Sequence, residues 1–119
     1  MSLALIINGT TLHATLANNS SAEELKKKLS SGNVTINMKD YSNFEKVGDL
    51  GFSFPTNDED IHTDFGNLIL YEGHYFVIYY DKNHWNFTKI GKIQNISQNE
   101  LKKLLGSGNV TVTLKLGSN

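Results

Sequence analysis

A helix-then-strand pattern occurs twice in this chain, and it limits the possible folds more than any other feature. Residues 21–36 and 97–112 each begin with Ser-x-x-Glu, the pattern of a capping box that satisfies the first free N–H groups of a helix. Leucines at helical spacing and lysines follow, up to Gly32 or Gly108, where a left-handed helix end is expected. Each copy then alternates apolar residues with threonine, as a half-buried strand does. The sequence therefore predicts two short amphipathic helices, each leading into a β-strand.

Most of the remaining chain is patterned as short strands. Residues 3–7 and 10–16 alternate on either side of Asn8-Gly9, the strongest two-residue hairpin signal. Further strand patterns lie at 34–39, 68–72, 75–80, 85–93 and 110–116. Short strands at regular spacing with two helices are typical of a β-barrel or sandwich, and about eight strands favour a closed barrel with a helix over each end. We therefore predict one mostly β domain spanning residues 1–119.

The composition excludes several classes of protein. The chain has no cysteine, which rules out disulfides, thiolate metal sites and cysteine nucleophiles. A net charge of −1 gives no attraction to nucleic acid or to an anionic membrane, and the absence of arginine counts against phosphate recognition. No stretch approaches a membrane span, and residues 3–7 are too short for the core of a signal peptide. We expect a cytoplasmic protein with no cofactor and with neither nucleic acid nor membrane as a partner.

The segment 40–67 is the least regular part of the chain. It carries the single proline, Pro55, and lacks strong periodicity, which in a compact domain is more typical of a functional surface than of a connector. Its aromatic residues are Tyr41, Phe44, Phe52 and Phe54. Two interpretations remain open: these rings are core packing under a long loop, or they form a stacking pocket for a small planar ligand or a peptide.

The same segment contains a group of acidic residues around His62. The spacing of Asp58, Glu59, Asp60 and Asp64 does not match a calcium-binding loop, because the required glycine and terminal glutamate are missing. We interpret this group as a solvated acidic loop, with a weak cation site as the alternative. Because no histidine is placed beside a serine nucleophile with a third orienting group, hydrolase chemistry is not supported.

With these elements in order, the series of motifs resembles cyclophilin. Residues 43–48, Asn-Phe-Glu-Lys-Val-Gly, are similar to the segment in which that family reads Phe-His-Arg-Ile and carries its catalytic arginine. Residues 63–70 resemble the family's Thr-x-x-Gly strand entry, and residues 90–93 resemble its Phe-Gly-Lys-Val strand. The resemblance runs over residues 3–116 and is stronger still to short bacterial cyclophilin-like proteins of unassigned role. It implies a closed eight-stranded antiparallel β-barrel capped by two short α-helices.

The departures from the cyclophilin pattern concern catalysis. The resemblance implies a groove in which a rigid guanidinium donates to the prolyl nitrogen, and here Lys46 falls at the position of that arginine. A lysine is a mobile point donor rather than a planar fork, so the replacement is not conservative. Without a groove role, Lys46 is a solvated loop lysine that pairs loosely with Glu45. Trp85 corresponds to the groove tryptophan, whereas the groove histidine and glutamine have no clear match.

Three hypotheses follow. The leading one is a cyclophilin-like binding module, not an efficient enzyme, whose groove accepts a small hydrophobic ligand or a peptide. The residues expected to bind it are Tyr41, Phe44, Glu45, Phe52, Phe54, Tyr79 and Trp85. The alternative from the enzyme class is a peptidyl-prolyl isomerase with Lys46 as its catalytic residue. The third is an interaction subunit, in which the doubly apolar strand 75–80 is covered by a partner chain, including a second copy of this chain.

Overall fold

The computed structural model describes residues 2–42 and 44–117. Asn43, the first residue of the Asn-Phe-Glu-Lys-Val-Gly motif, lies outside the described residues, as do Met1, Ser118 and Asn119. The elements in chain order are β1 (Ser2–Ile7), β2 (Thr10–Leu16), α1 (Ser20–Ser30), β3 (Val34–Tyr41), β4 (Glu45–Asp49), β5 (Glu59–Thr63), β6 (Asn67–Tyr71), β7 (Tyr75–Tyr79), β8 (Asn83–Ile93), α2 (Gln98–Leu105) and β9 (Val110–Leu116).

Eight of these strands close into an antiparallel barrel. The order is β2-β1-β9-β3-β4-β7-β6-β8, and β8 pairs with β2 to complete the ring. The predicted closed eight-stranded antiparallel barrel with two helices is therefore confirmed. Strand β5 is an addition: it pairs with the first half of β8, residues 83–87, in a two-stranded ribbon that extends from the barrel. We call β5 together with residues 83–87 the ribbon.

The helices lie at opposite ends of the barrel. Helix α2 is beside the β1–β2 turn, where the Asn8 amide donates to the carbonyl of Leu104 at 3.0 Å. Helix α1 begins beyond the other end of β2, where the Asn19 amide donates to the carbonyl of Lys89 at 2.8 Å. Both helices bury leucines in the barrel core, which contains Leu25, Leu29, Leu101 and Leu105. This burial is why two helices of only two to three turns are stable here.

The predicted capping box is confirmed for α2 and wrong for α1. In α2 the Ser97 hydroxyl accepts from the Glu100 N–H, and the Glu100 carboxylate accepts from the Ser97 N–H. In α1 the N-cap is Asn19, whose side-chain oxygen accepts from the Ala22 N–H at 2.8 Å. Ser21 is instead buried within the first turn, where its hydroxyl donates to the carbonyl of Pro55. The serine thus holds the segment 50–58 against the helix instead of capping it.

The two glycines at the predicted helix ends behave differently. After α1 the chain passes through Ser31 to Gly32, which has a φ of +147°. Helix α2 ends earlier than predicted, at Gly106, which has a φ of +70° and donates its N–H to the carbonyl of Lys102. Gly108 lies in the following turn. The first glycine after the helix was sufficient to end it, because glycine adopts a positive φ at little cost.

The segment 40–67 contains two strands that its sequence pattern did not predict. Strand β4 lies between β3 and β7, and β5 pairs with β8. The sequence of β4 is Glu-Lys-Val-Gly-Asp. It does not show the usual apolar alternation, because the residues on its barrel-facing side are Lys46 and Gly48. A Cβ at Gly48 would overlap the side chain of Ile36, so only glycine fits there.

Strand β7 has apolar residues on both faces because it separates two apolar clusters. Phe76, Ile78 and Tyr80 belong to the barrel core. Val77 and Tyr79 face outward, into a second cluster that we call the outer cluster; its buried members are Ile61, Ile69, Val77, Tyr79 and Phe87. Residues 76–80 are thus buried within the chain itself, and their cover does not require the partner that the third hypothesis supposed.

The cap assignment gives a stability prediction. Asn19→Ala should lower the free energy of unfolding by about 1–2 kcal/mol, because it removes both the cap acceptor and the donor to Lys89. Asn18→Ala, the same change at the exposed neighbouring residue, should lower it by less than about 0.5 kcal/mol. Urea denaturation measures both values. Equal losses in the two variants would contradict Asn19 as the cap.

Candidate functional site

A cavity of about 230 Å³ opens on the outer face of the barrel, beside the outer cluster. We call it the outer pocket. Residues from β3, β4, β6, β7 and β8 line it: Tyr41, Glu45, Tyr71, Val77, Tyr79, Asn83, Trp85 and Phe87. This volume is below the roughly 300–1,000 Å³ of ordinary ligand pockets, so it suits a very small molecule or a single side chain.

Strand alternation explains which side chains reach the outer pocket. Tyr41, Glu45 and Tyr79 are register partners on β3, β4 and β7, so they form one row across three adjacent strands. Trp85 and Phe87 lie two residues apart on β8, and Trp85 is the register partner of the buried Ile61 on β5. Because directly opposed residues share a face of a sheet, the ribbon turns Trp85 and Phe87 towards the outer cluster.

The walls of the outer pocket are aromatic. The ring centroids of Tyr79 and Phe87 are 5.7 Å apart, and those of Tyr71 and Phe87 are 6.0 Å apart. Among the residues that the structure describes, Tyr41 and Trp85 are the large apolar side chains that stay exposed, at 60% and 61%. Because both exposed rings line the same cavity, they form a patch rather than isolated surface residues, and they are candidates for a mouth that a ligand covers.

Glu45 is the acidic group of the outer pocket. The residue is only 7% exposed. Burial raises the pKa of its carboxyl from 4.5 to about 7 because it removes water from the charged form; a hydrogen bond to Tyr79 opposes this shift, and the nearby Asp40 adds to it. The Tyr79 hydroxyl also accepts from the Asn83 amide at 3.3 Å, and burial raises its pKa. Near pH 7 both protonation states of Glu45 are populated.

The structure brings four of the seven expected ligand-binding residues together and separates the others. Tyr41, Glu45, Tyr79 and Trp85 line the outer pocket. Phe44 lies behind it, with its ring stacked on Tyr41 at 5.9 Å and edge-on to Tyr79 at 6.0 Å.

Phe52 and Phe54, which were expected to bind the ligand together with Trp85, do not line the outer pocket. Their rings pack edge to face at 5.3 Å and contact the barrel core, and the Lys28 ammonium of α1 lies 4.3 Å from the Phe52 centroid. For these two rings the core-packing interpretation is the better one.

Lys46 does not lie in the groove, and it is not a solvated loop lysine either. Its side chain is fully buried on the opposite face of β4 from Glu45. The ammonium lies 3.2 Å from an oxygen of Asp40 and donates to the carbonyl of Gly108 at 2.7 Å. Asp40 also accepts from the Tyr80 hydroxyl, whose pKa is raised by burial. Adjacent residues of a strand face opposite sides, so a β4 that presents Glu45 to the outer pocket must direct Lys46 into the barrel.

Sequence reasoning missed four residues of the outer pocket: Tyr71, Val77, Asn83 and Phe87. A signal for Val77 was present in the two apolar faces of β7, one of which had to face outward. Asn83 lies outside the strand predicted at 85–93, whereas in the structure it begins β8 and donates to Tyr79. Tyr71 and Phe87 could not be assigned without the pairing of β6 and β8, which a single sequence does not reveal.

The acidic segment and the helices were also compared with the requirements of a metal site and of a membrane span. Among the described residues, no group of three or more His, Asp or Glu side chains is arranged to hold a metal ion. In the ribbon, His62 and His84 stack at 3.8 Å between ring centroids, and His84 contacts the Asp60 carboxylate. Neither helix in the described ranges combines the length and the apolar character needed to cross a bilayer.

Comparison with known proteins gives one match. A family model described as "Cyclophilin-like family" matches residues 5–115 of the 119-residue chain. The matched range includes every residue of the outer pocket and both helices. A search of the curated proteins finds no match.

The buried ion pair gives a second stability prediction. Lys46→Met should lower the free energy of unfolding by about 3 kcal/mol, because it removes the buried ammonium that contacts Asp40 and donates to the carbonyl of Gly108. Lys115→Met on the exposed side of β9 should change it by less than about 0.5 kcal/mol. Urea denaturation of both variants tests this. A loss for Lys46→Met no larger than that for Lys115→Met would contradict the buried pairing.

Glu45 should make stability depend on pH. Its pKa in the folded state, about 7, lies above the ordinary value of 4.5, so the folded state holds the proton more tightly than the unfolded state. Its contribution to stability is complete below about pH 4.5 and is lost as the pH rises to about 7. Between pH 5 and pH 8 the wild type should lose about 2–3 kcal/mol more than Glu45→Gln.

Urea denaturation of the two proteins at a series of pH values measures this difference. Every other titrating group is common to both, so their difference isolates Glu45. Parallel stability curves for the wild type and Glu45→Gln would show that the carboxyl is solvated in the folded protein, against the structure.

Proposed function

The chain belongs to the cyclophilin-like family, and on that basis we propose that it is a binding module that takes a small hydrophobic ligand or a peptide side chain in the outer pocket. The observation that carries this proposal is the pocket itself. It is preformed, walled by aromatic rings, and open at a mouth where Tyr41 and Trp85 remain exposed. Concave, mostly apolar sites with a few placed polar groups are the usual form of ligand sites.

The polar groups of the outer pocket favour binding over prolyl isomerisation. The family resemblance implies a guanidinium above the groove, and this chain contains no arginine. Lys46, the residue expected to replace it, is held inside the barrel by Asp40 and Gly108. To reach a substrate in the outer pocket, its ammonium would have to leave both partners and cross β4. We therefore propose that the protein is not an efficient isomerase.

The remaining polar groups can orient a ligand. They are the Glu45 carboxyl, the Tyr79 hydroxyl and the Asn83 amide, which lie together on one side of the cavity. Each is positioned on a strand of the barrel or the ribbon, so their relative positions are fixed by backbone pairing rather than by a loop. A ligand with an apolar body and one polar group would satisfy both parts of the lining.

Binding can be tested with a small panel of probes. Indole, cyclohexanol, benzylamine and a short Ala-Pro peptide are titrated into isotope-labelled protein, and amide shifts are recorded by NMR. We expect at least one probe to shift resonances of β4, β7 and the ribbon. Tyr41→Ala should weaken its binding about tenfold, because the ring forms one side of the mouth.

The matched control is Phe52→Ala, which removes a partly buried ring outside the outer pocket. It should leave probe affinity unchanged. If no probe shifts these strands, or if Phe52→Ala weakens binding more than Tyr41→Ala does, the outer pocket is not the binding site.

A further inference from the structure

The charge of the outer pocket restricts the chemistry of its ligand. Of the described residues that line it, Glu45 is the one acid, and none is basic. The nearest cation along the chain, Lys46, is directed into the barrel and is matched there by Asp40 at 3.2 Å. When Glu45 is ionised, its charge is therefore not offset by a basic group from the described part of the lining. An anionic ligand would be repelled, and a neutral ligand would leave the carboxylate further from water.

The aromatic walls of the outer pocket favour a cationic ligand, as the carboxylate does. Rings of Tyr41, Tyr71, Tyr79, Trp85 and Phe87 surround the cavity. The face of an aromatic ring carries partial negative charge and attracts a cation within about 6 Å, most strongly when the cation is poorly hydrated. A metal ion is a poor fit, since rings supply no ligands for it. An ammonium bearing carbon substituents can contact the rings and the carboxylate together.

We propose that the outer pocket selects a small organic cation, a substituted ammonium compound whose charge lies against Glu45 and whose carbon atoms pack on Tyr79, Phe87 and Trp85. This inference rests on the proposed function of the same pocket and adds the charge of the ligand. It differs from a general hydrophobic site in a measurable way, because a neutral molecule of the same shape should bind less well.

Binding of such a cation should be coupled to the protonation of Glu45. The groups that face this carboxyl are Tyr79 on β7 and Tyr41 on β3, with Tyr71 on β6 across the cavity and Asp40 acting through β3. Burial raises the pKa of the Tyr79 hydroxyl away from neutral pH, and Glu45 is the one carboxyl among the described residues of the lining. Because its pKa is about 7 in the free protein, a cation should bind about tenfold more tightly at pH 8 than at pH 5.5.

The test uses two probes of nearly the same shape. Choline carries a quaternary ammonium, and 3,3-dimethyl-1-butanol replaces its nitrogen by carbon. Each is titrated into the protein at pH 8 and at pH 5.5 and followed by the fluorescence of Trp85, the single tryptophan of the chain. We expect choline to bind at least tenfold more tightly than the alcohol at pH 8, and this preference to shrink at pH 5.5.

Two variants test whether the preference for choline comes from the Glu45 carboxyl. Glu45→Gln keeps the size and hydrogen-bonding capacity of the side chain, and it should weaken choline about tenfold while leaving the alcohol unchanged. Asp49→Asn is the matched control, since it removes an exposed carboxylate from the same strand outside the outer pocket. It should leave the affinity for choline unchanged.

The outcomes separate this inference from the proposed function. If choline and the alcohol bind equally, or if Glu45→Gln does not weaken choline, cation selectivity is wrong and the pocket is a neutral hydrophobic site. If neither probe binds at pH 8, the inference is likewise overturned, and the NMR panel decides separately whether the outer pocket binds anything. Loss of choline binding in Asp49→Asn to the same degree as in Glu45→Gln would attribute the effect to overall charge and overturn the proposed contact.

Discussion

Adjacent side chains of β4 and β7 point to opposite faces of the sheet, and the two apolar clusters of the molecule depend on this alternation. On β7, Phe76 and Ile78 fill the barrel, while Val77 and Tyr79 build the outer cluster. On β4 the same rule directs Lys46 inward and Glu45 outward. A shift of either strand by one residue would exchange these sets, exposing apolar rings and placing Glu45 in the barrel core. The position of the outer pocket is therefore fixed by the register of the barrel, not by the surrounding loops.

The inward lysine has a structural role that explains why the chain tolerates a charge in its core. Lys46 connects three parts of the fold: Asp40 at the end of β3, Tyr80 after β7, and Gly108 in the turn between α2 and β9. The long aliphatic part of the side chain packs among apolar residues while the ammonium reaches polar partners. A buried pair of this kind adds little net stability compared with apolar residues, but the loss of one member is costly. In this chain the ammonium fixes the turn after α2 to the barrel, and the same position makes it unsuitable as a donor to an external substrate.

The sequence was most informative where local chemistry decides the structure. The helix–strand repeat predicted both helices, because leucine spacing and nearby glycines act within a few residues.

The N-cap of α1 was missed, since Asn19 and Ser21 are both good caps and the contact of Ser21 with Pro55 comes from a distant segment. Strand β4 was missed for a similar reason. Lys46 and Gly48 are typical of loops in a sequence, and their places in a strand are explained only by distant residues. Asp40 and Gly108 contact the Lys46 ammonium, and Ile36 leaves no room for a side chain at Gly48. Of the predicted binding residues, Tyr41, Glu45, Tyr79 and Trp85 line one pocket, whereas Phe52 and Phe54 do not, because the direction of a ring in a long segment depends on which element covers it.

Glu45 is the feature that packing alone does not explain. An alternating strand in this position could carry an apolar residue, which would join Val47 and Tyr79 in the outer cluster at no electrostatic cost. The chain instead places a carboxyl there, in surroundings that raise its pKa to about 7, so its ionised form opposes folding at neutral pH. Structural ion pairs also shift pKa values, but the described residues that line the outer pocket include no cation that would make Glu45 a member of one. A destabilising charge that points into an aromatic cavity is the arrangement expected of a group whose partner arrives from outside. The proposed organic cation is that partner. Folding removes water from the Glu45 carboxylate, and the bound cation would give the carboxylate a favourable interaction in its place.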